Sequence, residues 1–292
     1  MKPALPCLRH SLRRCLLLSP LLGAVLVALP GHAQQPATPV GAIKGSAWAH
    51  TPESRAALVE RARVFLPPQA TGGASFAGLL KDAPATSGQK VPVVLFLHGS
   101  SGLGLAAIGE YQRWLGSLGI ASVAPDSFAL PERVTYSSPI DKAAYERIHA
   151  LRASEIAPTL QAISGRPWAD AARIVLAGTS EGAVPVARHD GAGFVARMIY
   201  AWSCEPNYFV EAPRTAAGER KPVLNVISST DPFFSRSNAW LGLPDAAGHC
   251  GAAFKGQPDV AVVLVPDAPH TLLNLPAARH AAAGFLQAVA RP

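Results

Sequence analysis

The chain has 292 residues, 49% of them hydrophobic and 15% charged, with 26 basic and 19 acidic side chains for a formal net charge of +7. No Lys/Arg cluster interleaved with aromatic residues is visible, so the charge carries no electrostatic footprint of a nucleic-acid partner. Much of the excess sits at the N-terminus. Residues 1–33 carry Lys2, Arg9, Arg13 and Arg14 and no acid, and without them the charge falls to +3.

Those 33 residues read as a signal peptide. A positive n-region precedes the apolar run "CLLLSPLLGAVLVAL" (15–29), and "GHA" (31–33) places small residues before a cut at Gln34. The run is too short and too interrupted by proline for a comfortable membrane span, and no later stretch approaches about 20 apolar residues. The expectation is an exported protein, periplasmic or secreted, with no stable membrane insertion after removal of the leader. The Arg13–Arg14 pair leaves both the general and the twin-Arg export routes open. Cys7 and Cys15 leave with the leader, so Cys204 and Cys250 remain. In an oxidising compartment a lone pair of cysteines is expected to be bridged, the alternative being two buried thiols.

Residues 34–50 are rich in Pro, Gly and Ala without a period and read as a flexible linker. A single domain is expected over 51–292. It opens with a helix in "TPESRAALVERARVF", where Thr51 is placed to cap, Pro52 stands at the first helical position and Glu53 in the first turn. Residues 67–90 are punctuation with weak apolar content, and no hairpin can be placed there from the pattern. From residue 91 the runs 91–99, 120–128, 173–178, 197–205, 221–231 and 260–270 have strand length. They are continuously apolar rather than alternating, which implies burial on both faces, as in a parallel sheet between helices. The segments between them supply crossover helices, the longest over 140–165 with Pro158 as an expected kink or break, and the chain closes on an Ala-rich helix. This alternation predicts a doubly wound α/β domain.

In such a sheet, functional groups gather just past the carboxyl ends of the strands. Strand 173–178 runs into "GTSEGA" with Ser180 between Gly178 and Gly182; 221–231 ends at Asp231; 260–265 leads to His270; and 91–97 leads into "HGSSGLG". The Gly-x-Ser-x-Gly pattern alone arises by composition in about one chain in ten of this length, so the partners decide its meaning. A serine hydroxyl is a poor nucleophile near neutral pH and needs a base. His270 is the candidate base, and Asp231 the candidate acid that orients it. Glu205 and Asp267 are rivals for the acid. The backbone N–H groups of Ser100 and Glu181 are the candidate oxyanion donors, with Ser101 as an alternative to Ser100. The Glu181 side chain is placed either to pair with an arginine or to bias the pocket against anions. His98 is read as a brace for the Gly-rich loop. Metal chemistry has no signature here, with neither H-E-x-x-H nor C-x-x-C, and no cofactor is implied.

The segments "FLHGSSGLG", "APDSF", "GTSEGA", "STDPF" and "APH", in this order, resemble the dienelactone hydrolase-like branch of the α/β-hydrolase superfamily over roughly residues 91–292. The resemblance implies an α/β-hydrolase fold, a mostly parallel sheet flanked by helices on both faces, and cofactor-free hydrolysis of a small-molecule ester or lactone. Dienelactone hydrolases proper use a cysteine nucleophile where this chain has Ser180, which favours a serine esterase within that branch. Alternatives are a peptidase or polyester hydrolase with the same triad, or a non-catalytic binding protein on the same fold. The Gly/Ala-rich segment 232–258 is read as a lid or pocket wall tied to Cys204 by Cys250. Trp202, Phe233, Phe234 and Trp240 are candidates for an apolar substrate pocket.

Overall fold

The computed structural model describes residues 40–85, 88–216 and 220–291. The expected leader and residues 34–39 of the expected linker lie outside these. Strand β1 (Ile43–Lys44) is followed by helix α1 (Pro52–Glu60), the antiparallel hairpin β2 (Arg63–Leu66) and β3 (Phe76–Leu79) with the single turn α2 (Pro68–Thr71) between them, and then β4 (Val91–Leu97). Next come α3 (Ala106–Ser117), β5 (Ala121–Ala124), β6 (Thr135–Tyr136), α4 (Lys142–Ala153), α5 (Ile156–Ser164) and β7 (Ala169–Thr179). The chain ends with α6 (Ala183–Arg188), β8 (Ala196–Tyr200), β9 (Val223–Ser228), β10 (Val260–Val265) and α7 (Pro276–Ala290).

The main sheet has the order β10-β9-β8-β7-β4-β5-β2-β3. The six strands from β10 to β5 run parallel, and β2 pairs antiparallel with both β5 and β3. All six apolar runs expected as strands are strands of this sheet. The expected two-sided burial holds along β4, where Val93, Leu95 and Leu97 pack into one core while Val94 and Phe96 pack into the other, but not along β10, an edge strand on which Ala261 and Leu264 are exposed. Helices α5 and α6 cover the first face, and α3 and α7 the second. Because β5 and β7 lie on opposite sides of β4, the direction of winding reverses at β4, and a crevice opens past the carboxyl ends of β4 and β7. Among the described residues no helix is long and apolar enough to cross a membrane.

Helix α1 begins where its cap signals put it. The Thr51 side chain accepts from Ser54 N–H at 3.2 Å while Thr51 N–H donates to Ser54 Oγ at 2.9 Å, a reciprocal capping box. The helix stops at Glu60, however, and "RVFL" is strand β2, because its β-branched and aromatic residues fit the sheet edge better than a helix end. The helical reading over 61–65 is thus corrected, and the hairpin that pattern alone did not locate is β2–β3. Residues 140–165 do form two helices, but the break falls at Ser154–Glu155. Pro158 sits in the first turn of α5, where its missing N–H has no helical partner to lose. Residues 40–50 are tied down rather than loose: Ile43 and Lys44 pair with Tyr136 and Thr135, and Gly41 N–H donates to Pro139 O at 2.7 Å.

Cys204 and Cys250 are disulfide-bonded across 46 residues. In the chain-entropy model, closing a loop of that size stabilises by about 4 kcal/mol. Replacing both cysteines with alanine is expected to lower the unfolding free energy by an amount approaching that figure, read by urea titration of oxidised parent and variant. A second stability term is pH-dependent. His149 in α4 stacks on Tyr145, meets the Phe209 ring edge-on and donates through Nε2 to Phe209 O at 3.0 Å. Burial pulls its pKa from 6.5 to about 4 against the opposing Phe209 bond. A depressed folded-state pKa means that the unfolded chain binds the proton more readily. Stability is therefore full above the unfolded value of 6.5 and lost as pH falls towards 4, by about 3 kcal/mol at most. Thermal unfolding between pH 4 and 7 should show this slope, and His149→Gln, which keeps a donor, should flatten it.

Candidate active site

Strand β7 delivers Ser180 to the crevice through a turn with little steric freedom. Ser180 itself has φ +53°, a left-handed conformation that a side-chain-bearing residue adopts only under constraint. The flanking glycines explain how the turn fits. A Cβ on Gly178 would lie 2.4 Å from Gly182 O, and a Cβ on Gly182 would lie 2.4 Å from Leu97 O. Only glycine at both positions lets the turn close on itself and press against the end of β4. The next residues, Ala183–Arg188, form the short helix α6.

Asp231, just past β9, is fully buried, and its carboxylate is filled. Oδ1 accepts from the N–H groups of Phe233 and Phe234 at 2.9 and 3.1 Å, and Oδ2 is 2.7 Å from His270 Nδ1. An ionised carboxylate only accepts, so His270 carries its proton on Nδ1 and turns Nε2 into an acceptor. Ser180 and His270 line one cavity of about 290 Å³, together with Gly99, Ser100, Ser101 and Gly102 of the loop after β4. Ser180 and His270, from two strand ends, thus reach one cavity, with Asp231 buried behind His270 and bonded to it. The rival acids stand apart from the imidazole. The Glu205 carboxylate accepts from Ala247 and Gly248 N–H at 2.7 and 3.1 Å, and Asp267 is exposed to solvent, whereas Asp231 is bonded to His270.

Of the expected pocket residues, Phe233 and Phe234 line the cavity, and the Phe233 ring meets the His270 ring edge-on at 4.7 Å. Trp202 does not line it. It follows β8 directly into the core beside Cys204, and its carbonyl accepts from Asn225 Nδ2 at 3.1 Å. Trp240 is also absent from the lining, packing edge-on against Tyr208 at 4.5 Å and supporting the wall from behind. The segment 232–258 therefore contributes a wall through its first residues. Sequence reasoning missed Tyr136, Ser138, Tyr208 and Phe209, which also line the cavity. Tyr136 lies in the two-residue strand β6 and the others in connections, with no period or motif to mark them.

Under Ser180 lies a buried ionic cluster. Arg133 Nη2 donates to Glu181 Oε1 at 2.6 Å, and Arg152 Nε stands 3.6 Å from the same oxygen. Arg152 also pairs with Glu155 at 3.3 Å, and Ser127 Oγ donates to Glu155 at 2.5 Å. The Glu181 side chain thus pairs with arginines and does not enter the cavity lining. Tyr136 joins the cluster to the cavity: burial first, and then the Glu181 charge, hold its phenol well above the ordinary range. His98 braces the Gly-rich loop as expected. Its Nδ1 donates to Gly99 O at 2.7 Å, and Nε2 accepts from Ser127 N–H and an Arg152 N–H, both at 3.2 Å. Burial first, and then the Arg152 charge, keep this imidazole well below its ordinary pKa and therefore neutral.

No family model matches this chain, and no curated protein does. Solved structures do. A structure titled ferulic acid bound to Est1E from Butyrivibrio proteoclasticus aligns with a TM-score of 0.51 at 15% identity, covering 78% of this chain and 94% of that one. The esterase domain of a Rhodothermus marinus protein aligns at 0.48 and 18% identity over 79% and 91%, and esterase PE8 at 0.47 and 20% over 71% and 96%. At 15% identity the alignment with Est1E speaks to the fold alone. The chain carries the α/β-hydrolase fold.

Proposed function

We propose that this chain is an exported serine hydrolase of the dienelactone hydrolase-like kind, cleaving neutral carboxylic esters or lactones through an acyl-enzyme on Ser180. The observation that carries this reading is the assembly at one cavity: a serine held at φ +53° and a histidine whose Nδ1 is bonded at 2.7 Å to a buried aspartate. His270 Nε2 takes the Ser180 proton as Oγ attacks the carbonyl carbon. Asp231 holds the tautomer and stabilises the imidazolium that forms. The backbone N–H groups of Ser100 and Glu181 receive the negative charge that develops on the carbonyl oxygen. Collapse of the tetrahedral intermediate expels the alcohol, protonated by His270, and a water repeats the sequence to free the acid.

The wall supports a substrate class. Among the described residues no Lys, Arg, Asp or Glu lines the cavity, whereas Tyr136, Tyr208, Phe209, Phe233 and Phe234 do. A charged acyl group would lose its hydration there without gaining a partner, so uncharged and aromatic groups fit best. The ferulic acid bound in Est1E agrees with that choice.

A fluorophosphonate is expected to label the protein on Ser180, located by mass spectrometry, and neutral aryl or arylalkenoyl esters to be turned over in preference to hemisuccinates and amides. Ser180→Ala should lower kcat by about 10⁶-fold, and Asp231→Asn by about 10⁴-fold, because the amide favours the wrong tautomer. Unchanged turnover in Ser180→Ala removes the reading. Failure of the folded parent to label favours the non-catalytic binding protein.

A further inference from the structure

Resting on the hydrolase reading above, we propose that Arg152 is a positioning residue for the oxyanion hole: one buried guanidinium, seconded by Arg133 through Glu181, holds both oxyanion-donating segments in register. The two donors belong to separate stretches of chain. Ser100 follows β4 and Glu181 follows β7, and both lie beyond the last ladder bonds between those strands, which pair Leu97 with Gly178. Past that point the sheet no longer sets their spacing.

Arg152 spans the gap. It projects from α4, is fully buried, and donates through Nη2 to His98 O at 2.9 Å and through Nη1 to His98 Nε2 at 3.2 Å. His98 in turn clamps Gly99, the residue before Ser100, through its Nδ1 bond to Gly99 O at 2.7 Å. On its other side the same guanidinium is 3.6 Å from Glu181 Oε1, which Arg133 fixes from the opposite direction at 2.6 Å. Ser127 closes the frame, accepting from Arg133 Nε at 2.7 Å while its N–H donates to His98. Each oxyanion segment is thus anchored through a side chain, one by His98 two residues before Ser100 and the other by the side chain of Glu181 itself, and the anchors converge on Arg152.

Stability alone does not explain this arrangement. Two arginines and two glutamates with almost no exposure lose their hydration, and apolar residues of equal volume often stabilise as well or better. What an apolar core lacks is the fixed angular fork of a guanidinium. A hole built from two backbone donors needs them placed to within about 0.5 Å. The cluster supplies that precision from behind, and none of its four charged members lines the cavity.

The test compares parent, Arg152→Lys and Glu181→Gln. Lysine keeps the charge but cannot bridge both sides, and glutamine is close in shape but loses the ionic anchor. For each protein the fold is checked by circular dichroism and melting. The readouts are kcat, KM, and the affinity of a trifluoromethyl ketone that adds Ser180 to form an oxyanion. The expected result is a kcat lower by about 10²-fold, the scale of losing one oxyanion donor, with KM within about threefold. Affinity for the ketone should fall in parallel with kcat/KM, whereas affinity for the acid product should not. If Arg152→Lys does not fold, the near-isosteric Glu181→Gln carries the comparison. Folded variants with parental kcat, losses confined to KM, or two variants that both fail to fold overturn the proposal. A parent that neither turns over esters nor labels on Ser180 overturns the hydrolase reading instead, and is recognised before any variant is made.

Discussion

The organisation of this molecule depends on how closely the turn after β7 approaches the end of β4. Gly182 lies where any Cβ would strike the Leu97 and His98 carbonyls, and Gly178 lies where one would strike Gly182. This contact forces Ser180 to φ +53°, a conformation that costs a non-glycine residue of order 1–3 kcal/mol. The strain persists because the surroundings over-determine it: a parallel ladder on one side, the buried helix α6 on the other, and an ionic frame beneath. The serine is presented at the rim because the backbone has nowhere else to go.

The ionic frame is the second constraint and has the opposite character. The turn is steric, whereas the cluster is electrostatic and depends on complete pairing. Removing one member of such a pair strands the other in low dielectric, typically at a cost of about 3–5 kcal/mol. Its members come from distant parts of the chain. Glu155 also meets His50, which follows the N-terminal strand β1, and β1 pairs with the two-residue strand that carries Tyr136 on the cavity wall. Residues ahead of the first helix are thereby connected to the cavity through packed contacts.

On the far side of the rim, Asp231 serves two structures with one carboxylate. Its Oδ2 orients His270, while its Oδ1 caps the turn that sets Phe233 and Phe234 on the cavity wall. The base and the substrate-facing wall therefore share an anchor, and the wall is tied again farther on by Glu205 and by the Cys204–Cys250 bridge. The aromatic contacts from Phe233 through Phe234 to Tyr208 and Trp240 make that wall continuous with the core.

The sequence by itself determined the parallel strands from residue 91 onward, because strands buried on both faces must be apolar at every position, and that run-length signal is local. It also determined the candidates at the strand ends, Ser180, Asp231 and His270, since the topology of a wound sheet obliges chemistry to collect there. Hairpin β2–β3 was not legible, being short and amphipathic beside a helix that ends without a glycine, and residues 40–50 passed for a linker because two-residue strands leave no period. Trp202 and Trp240 showed only that they are aromatic. Whether an aromatic residue lines a cavity or backs its wall is a matter of which neighbour arrives on its other side. Glu181 is the clearest case. Adjacent to the serine, its charge had no visible partner, and Arg133, in a connection, and Arg152, on α4, lie 48 and 29 positions away without a motif. Only the tertiary structure brings them together, because pairing of buried charges is decided by three-dimensional proximity and not by any spacing along the chain.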